Sequence, residues 1–78
     1  MPCRVGITTD PVKRKTEWNS KVIGLKNWKL LASYNTRKKA QEHEDRYAER
    51  YGCKSSHGGA DAKGPWHVYR FEYLRKKA

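Results

Sequence analysis

Acidic residues are scarce in this 78-residue chain: eight Asp and Glu stand against 18 Lys and Arg, for a formal charge of +10. No apolar run is longer than a few residues, which argues against a membrane span or a secretory signal and implies a cytoplasmic protein. There are two cysteines, Cys3 and Cys53, without C-x-x-C spacing, so no disulfide framework is expected and both read as reduced thiols. The one spacing that suggests zinc, Cys53-x-x-x-His57, lacks the second ligand pair of a structural site. The glycines at 52, 58, 59 and 64 follow a helical pattern instead of joining a strand to a helix, so they do not form a phosphate loop. Nor is there room for a second domain. Residues 1–74 read as one small domain and 75–78 as a frayed basic tail, with a core supplying on the order of 3–5 kcal/mol.

Aromatics, in contrast, are plentiful: Trp18, Trp28, Tyr34, Tyr47, Tyr51, Trp66, Tyr69, Phe71 and Tyr73. That density argues for a packed fold, because disordered polar segments are poor in large rings. The charge is unevenly spread, at +1 over residues 1–9, +7 over 10–39, −2 over 40–53 and +4 over 54–78. A basic segment of this density suits a partner with regularly spaced negative charge, and nucleic acid is the first candidate. An anionic membrane surface and an acidic protein are the competing polyanions.

Local patterns predict a β-α-β-α-β order of class α+β, a three-stranded sheet packed by two helices. Cys3, Val5 and Ile7 alternate with Arg4, Gly6 and Thr8 at the period of a half-buried strand. Asp10 before Pro11 is a helix start, since Asp accepts from free amides and Pro loses nothing at the first helical position. That helix is expected to run to about Ser20, on a thin apolar face of Val12, Trp18 and Val22. Trp28 to Tyr34 alternate as a second strand. Thr36 caps a second helix over 37–51, and Gly52 stands where a left-handed terminal residue is wanted. Residues 54–65 are rich in turn formers and predict a surface loop, and 66–73 alternate as a third strand.

The second helix breaks its own pattern. Its apolar stripe runs through Ala40, Tyr47 and Tyr51, and Glu44 completes the spacing. A carboxylate on a core-facing stripe needs a partner, a proton or a metal, because an uncompensated buried charge costs several kcal/mol. An edge position bridged to a neighbouring cation is the plainer reading. Glu42, Asp45 and Glu49 fit exposed partners of Arg46, Lys38 and Lys39. Arg37, Lys38 and Lys39 open this helix, where the macrodipole prefers anions, so with the free amides they make a phosphate seat. Lys13, Arg14 and Lys15 form a second basic cluster on the first helix. Of these, Arg14 is singled out because a guanidinium can bind two phosphate oxygens and steady developing charge.

The run Arg4-Val5-Gly6-Ile7-Thr8-Thr9-Asp10-Pro11-Val12-Lys13-Arg14 resembles the second half of the GIY-YIG nuclease module, in which a strand ending in Tyr-Ile-Gly or Tyr-Val-Gly leads through a polar turn into a helix bearing an Arg. An apolar strand with a Trp near its start and a helix carrying Ala40 and Glu44 continue the likeness over roughly residues 4–53. The resemblance implies that Arg14 stabilises a phosphate and that Glu44 holds one divalent metal, Mg²⁺ or Mn²⁺. It also implies that water attacks a phosphodiester, assisted by a tyrosine hydroxyl, with DNA favoured over RNA as the partner. Three features depart from the pattern. Arg4 replaces the second-motif tyrosine, no Gly-Ile-Tyr strand precedes it, and the expected downstream asparagine is absent near Ser55, Ser56 and His57. The C-terminal strand 64–69 is the candidate replacement for the missing first strand, as in a circular permutation, with Tyr69 as the catalytic tyrosine.

The resulting expectation is a nucleic-acid-binding, GIY-YIG-like domain that cuts phosphodiesters with Arg14, Tyr69 and Glu44. Arg4, Lys13, Lys15, Arg37, Lys38, Lys39 and Arg70 would contact the polyanion. The alternatives are a non-catalytic DNA or RNA reader that stacks bases on Tyr69, Phe71 and Tyr73, and a small factor whose basic face docks an acidic protein.

Overall fold

Two side-chain caps set the helices. Asp10 Oδ1 accepts from the Lys13 amide at 3.1 Å and opens α1 (Pro11–Lys21). Thr36 Oγ1 accepts from the Lys39 amide at 3.4 Å and opens α2 (Arg37–Tyr51). Gly52 ends α2 at φ 67°, a left-handed conformation that costs glycine little. In the computed structural model, which describes residues 2–56 and 65–77, these helices flank a mixed sheet.

The strands are β1 (Cys3–Thr8), β2 (Val22–Ile23), β3 (Lys26–Tyr34), β4 (Lys54–Ser56), β5 (Trp66–Glu72) and β6 (Arg75–Lys76). The main sheet has four strands in the order β3-β5-β1-β4, and β2 pairs with β6 in a separate ribbon. The α+β class and the two helices therefore match the sequence reading, whereas the three-stranded count does not. Lys54–Ser56, expected in a loop, instead pairs parallel to β1; residues 57–64 of that loop lie outside the described residues. Arg75 and Lys76, expected to fray, pair antiparallel with Ile23 and Val22. β3 begins at Lys26, before the alternation starts at Trp28, through an irregularity that holds Asn27 at φ 54°.

β5, late in the chain, lies between β1 and β3 and runs antiparallel to both. Its alternating residues feed two cores on opposite faces. On one face Val5, Ile7, Trp66 and Val68 pack with Ala40 of α2 and with Cys53. On the other, Tyr69 and Phe71 pack with Trp18 of α1, Val22 and Tyr73. Because both faces are covered, Gly6 and Thr8 are buried along with Val5 and Ile7, so the one-sided strand expected of β1 is not observed. Val12 is 79 % exposed, and Val22 reaches the core from β2 rather than from α1.

Cys3 and Cys53 form a disulfide, contrary to the reduced thiols expected. The parallel register Arg4↔Lys54 brings the preceding residue of each strand together, with Cα atoms 4.8 Å apart, within the range a disulfide spans. A separation of 50 residues hid this contact from the sequence, and the bond removes Cys53 from the zinc spacing.

Candidate functional site

Tyr69 is 1 % exposed and lies opposite Gly6 in the β1–β5 ladder. Its ring crosses over Gly6, so a Cβ there would come within 2.6 Å of the phenol carbon that carries the hydroxyl. Glycine inside a strand thus serves close approach, which is the general signal that could have flagged it. The Trp18 indole N–H donates to the Tyr69 hydroxyl at 2.8 Å. This donor was not foreseen, because Trp18 reads as plain core on α1. Arg4 shares the Gly6 face of β1, and its guanidinium lies 4.8 Å from the centre of the Trp18 ring. The Lys21 ammonium is 5.3 Å from the same ring, so the indole is in contact with two cations.

Electrostatics tie this phenol to three elements. Burial raises the Tyr69 pKa above its usual value; the Trp18 hydrogen bond and the Arg14 charge lower it, Glu44 raises it, and Arg4 lowers it, with burial dominant. Arg14 acts from α1, Arg4 from β1 and Glu44 from α2, on the helix that covers the opposite sheet face. Arg14 also lies 3.7 Å from Glu17, with both side chains partly in water, a contact worth on the order of 0–1 kcal/mol.

Glu44 is completely buried, as the stripe pattern indicated, and the residue takes part in an interaction within the fold. Tyr51, on the same predicted stripe and the last residue of α2, is 56 % exposed. Among the described residues no three His, Cys, Asp or Glu side chains cluster. Mg²⁺ is typically held by one or two carboxylates plus substrate phosphates; Glu44 is a donor of that kind, while its complete burial leaves no face of the carboxylate toward solvent.

The remaining basic residues separate. The C-terminal ends of β1 and β3 lead into α1 and α2, so Lys13-Arg14-Lys15 and Arg37-Lys38-Lys39 lie at the same end of the sheet, on helices flanking its two faces. Lys13, Lys15, Lys38 and Lys39 are exposed, while the Arg37 guanidinium lies 5.8 Å from the Trp66 ring centre. Arg70 does not join them. It alternates with Tyr69 and so projects from the opposite face, where it bonds Glu72 at 2.9 Å. Asn27 and Arg70 together hold the Glu72 carboxyl below its usual pKa. The base-stacking surface is likewise absent: Tyr69, Phe71 and Tyr73 are 1, 0 and 4 % exposed, because α1 and the β2–β6 ribbon side of the fold cover them. Glu42, Asp45 and Glu49 are exposed as expected, but Arg46 reaches only the Glu42 carbonyl, at 3.4 Å.

Comparison with known proteins gives no kin. No family model, curated protein or solved structure matches this chain. No described helix is long and apolar enough to cross a membrane.

Proposed function

We propose that the chain binds nucleic acid and hydrolyses a phosphodiester in the manner of a GIY-YIG-like domain, with Tyr69, Arg14 and Glu44 at the centre. The observation that carries this reading is the buried Tyr69 hydroxyl, fixed by the Trp18 indole at 2.8 Å, with the Arg4 guanidinium over the same indole. The central place of β5 supports the permuted arrangement, since the C-terminal strand pairs antiparallel with β1 where a preceding strand would otherwise form a hairpin.

On this reading Arg14 binds a non-bridging phosphate oxygen and stabilises charge as water attacks phosphorus, giving its proton to solvent, and the P–O bond to the leaving group breaks, the departing alkoxide taking a proton from solvent. Arg4 adds positive potential in place of a second tyrosine; a guanidinium does not act as a base at neutral pH. The Tyr69 phenol, its pKa raised by burial, accepts a hydrogen bond from Trp18 and would offer its own proton to a phosphate oxygen. Glu44 would hold Mg²⁺ or Mn²⁺, which supplies Lewis acidity at the phosphate. The clusters at Lys13–Lys15 and Arg37–Lys39 anchor the backbone on either side. DNA is the favoured partner. Cytoplasmic placement belongs to the same proposal and meets resistance from the Cys3–Cys53 bond, because such bonds persist mainly in oxidising compartments.

The test is nicking of supercoiled plasmid with Mn²⁺. Arg14→Ala and Glu44→Gln are expected to abolish nicking while duplex affinity, measured by gel shift, falls less than about tenfold. A wild-type protein that binds DNA yet never nicks it would leave a non-catalytic reader. Absence of binding to DNA or RNA at low salt would defeat the reading altogether and favour an acidic protein partner.

A further inference from the structure

A groove of about 510 Å³ runs between α2 and β3, lined by Leu31, Tyr34, His43, Arg46, Tyr47 and Arg50, with Tyr51 at its edge. It lies on the α2 side of the sheet and shares no residue with the Tyr69 site. We propose that this groove holds an unpaired nucleotide of a single-stranded nucleic acid, its base against Tyr47 and Tyr51 and its phosphates against Arg46 and Arg50.

Four observations support this assignment. First, Tyr47 and Tyr51 stand with ring centroids 4.4 Å apart, and Tyr51 remains 56 % exposed, so an aromatic surface is held open to solvent. Second, neither Arg46 nor Arg50 is in an ion pair among the described residues; Arg50 lies 5.5 Å from the Tyr51 ring centre. Third, the exposed charges on α2 are segregated, and Glu44, on the stripe of Tyr47 and Tyr51, is buried and does not line the groove. At about 100° per residue, His43, Arg46, Tyr47, Arg50 and Tyr51 fall on one arc, and the exposed Glu42, Asp45 and Glu49 fall on the far side of the helix. The groove lining accordingly contains guanidinium groups and no carboxylate. Fourth, Tyr34 and His43 are joined at 2.9 Å through His43 Nδ1, which fixes the imidazole and leaves Nε2 for a base edge.

Rings that accept any base face, next to cations that follow a phosphate backbone, are what single-strand readers use. A duplex offers neither an exposed base face nor a strand that can enter a groove of this size. The proposal does not depend on catalysis at Tyr69, and its test is run in EDTA, so either reading can fail without the other.

The probe is a fluorescently labelled dT12 strand, compared by anisotropy with a blunt duplex of equal length. The exposed positions allow substitution without loss of the fold, checked by thermal unfolding. Tyr51→Ala is expected to weaken dT12 binding about tenfold or more, Tyr51→Phe to restore most of it, and duplex binding to be unchanged by either. Arg50→Gln should reduce the salt slope for dT12 by about 0.7. Equal losses for duplex and single strand, retention of full dT12 affinity by Tyr51→Ala, or no binding of dT12 by the wild type would each overturn the assignment. Tighter binding of free thymidine monophosphate than of dT12 would also overturn it, in favour of a mononucleotide pocket.

Discussion

Gly6 and Tyr69 face each other across the β1–β5 ladder, and the tyrosine ring occupies the space that any side chain at position 6 would need. The Trp18 indole then locks the hydroxyl from α1 at 2.8 Å.

Gly6→Ala should therefore act through Tyr69 and not through backbone conformation. Overpacking of a filled core typically costs about 1–3 kcal/mol, and here the obstructing atoms belong to a rigid ring. Urea unfolding should show a loss in that range. A double variant with Tyr69→Phe, which removes the hydroxyl nearest the new methyl, should lose less than the sum of the two single variants. Strict additivity would show that the two residues do not press on each other.

Alkaline titration tests the buried phenol. Its folded pKa is raised, so the native state keeps a proton that the unfolded chain releases near pH 10. The stability this contributes is fully present below that pH and is lost as pH rises through the folded pKa. Tyrosinate absorbance in the folded protein should thus show one of the five tyrosines ionising late, together with a fall in stability above about pH 10. Tyr69→Phe should remove the late step. A late step that survives this substitution would assign it to another ring.

Reduction tests the bond between Cys3 and Cys53. Closing a loop of 50 residues restricts the unfolded chain by about 4 kcal/mol in the chain-entropy treatment. That is comparable with the whole stability expected of so small a core, so the denaturation midpoint should drop sharply in dithiothreitol. Cys3→Ser/Cys53→Ser should match the reduced protein and be insensitive to reductant. An unchanged midpoint would mean that the pairing of β1 with β4 holds without the bond.

The elements legible in the sequence are those with local causes. Asp10-Pro11, Thr36 and Gly52 mark helix ends through neighbouring amides and carbonyls, so α2 was bounded at both ends. β1 was read from its alternation. Glu44 was found for a comparable reason, as a charge occupying a position that helical periodicity assigns to the core. Arg14 stands out by the chemistry of its guanidinium and Tyr69 only by resemblance, and nothing in their spacing alone brings them together. The rings of β5 prove to be core, and alternation alone cannot tell this from a stacking surface, because it says which residues share a face, not which face is covered.

The amino-acid order by itself determined the helices, the period of the strands and the surplus of positive charge, since each depends on residues a few positions apart. Only the tertiary structure decided that β5 lies in the middle of the sheet, that β4 and β6 exist, that Cys3 meets Cys53, and that Tyr69 lies over Gly6 with its hydroxyl on the Trp18 indole. Those contacts join residues tens of positions apart. They form only when two cores pack on both faces of one sheet, and no local propensity encodes that event.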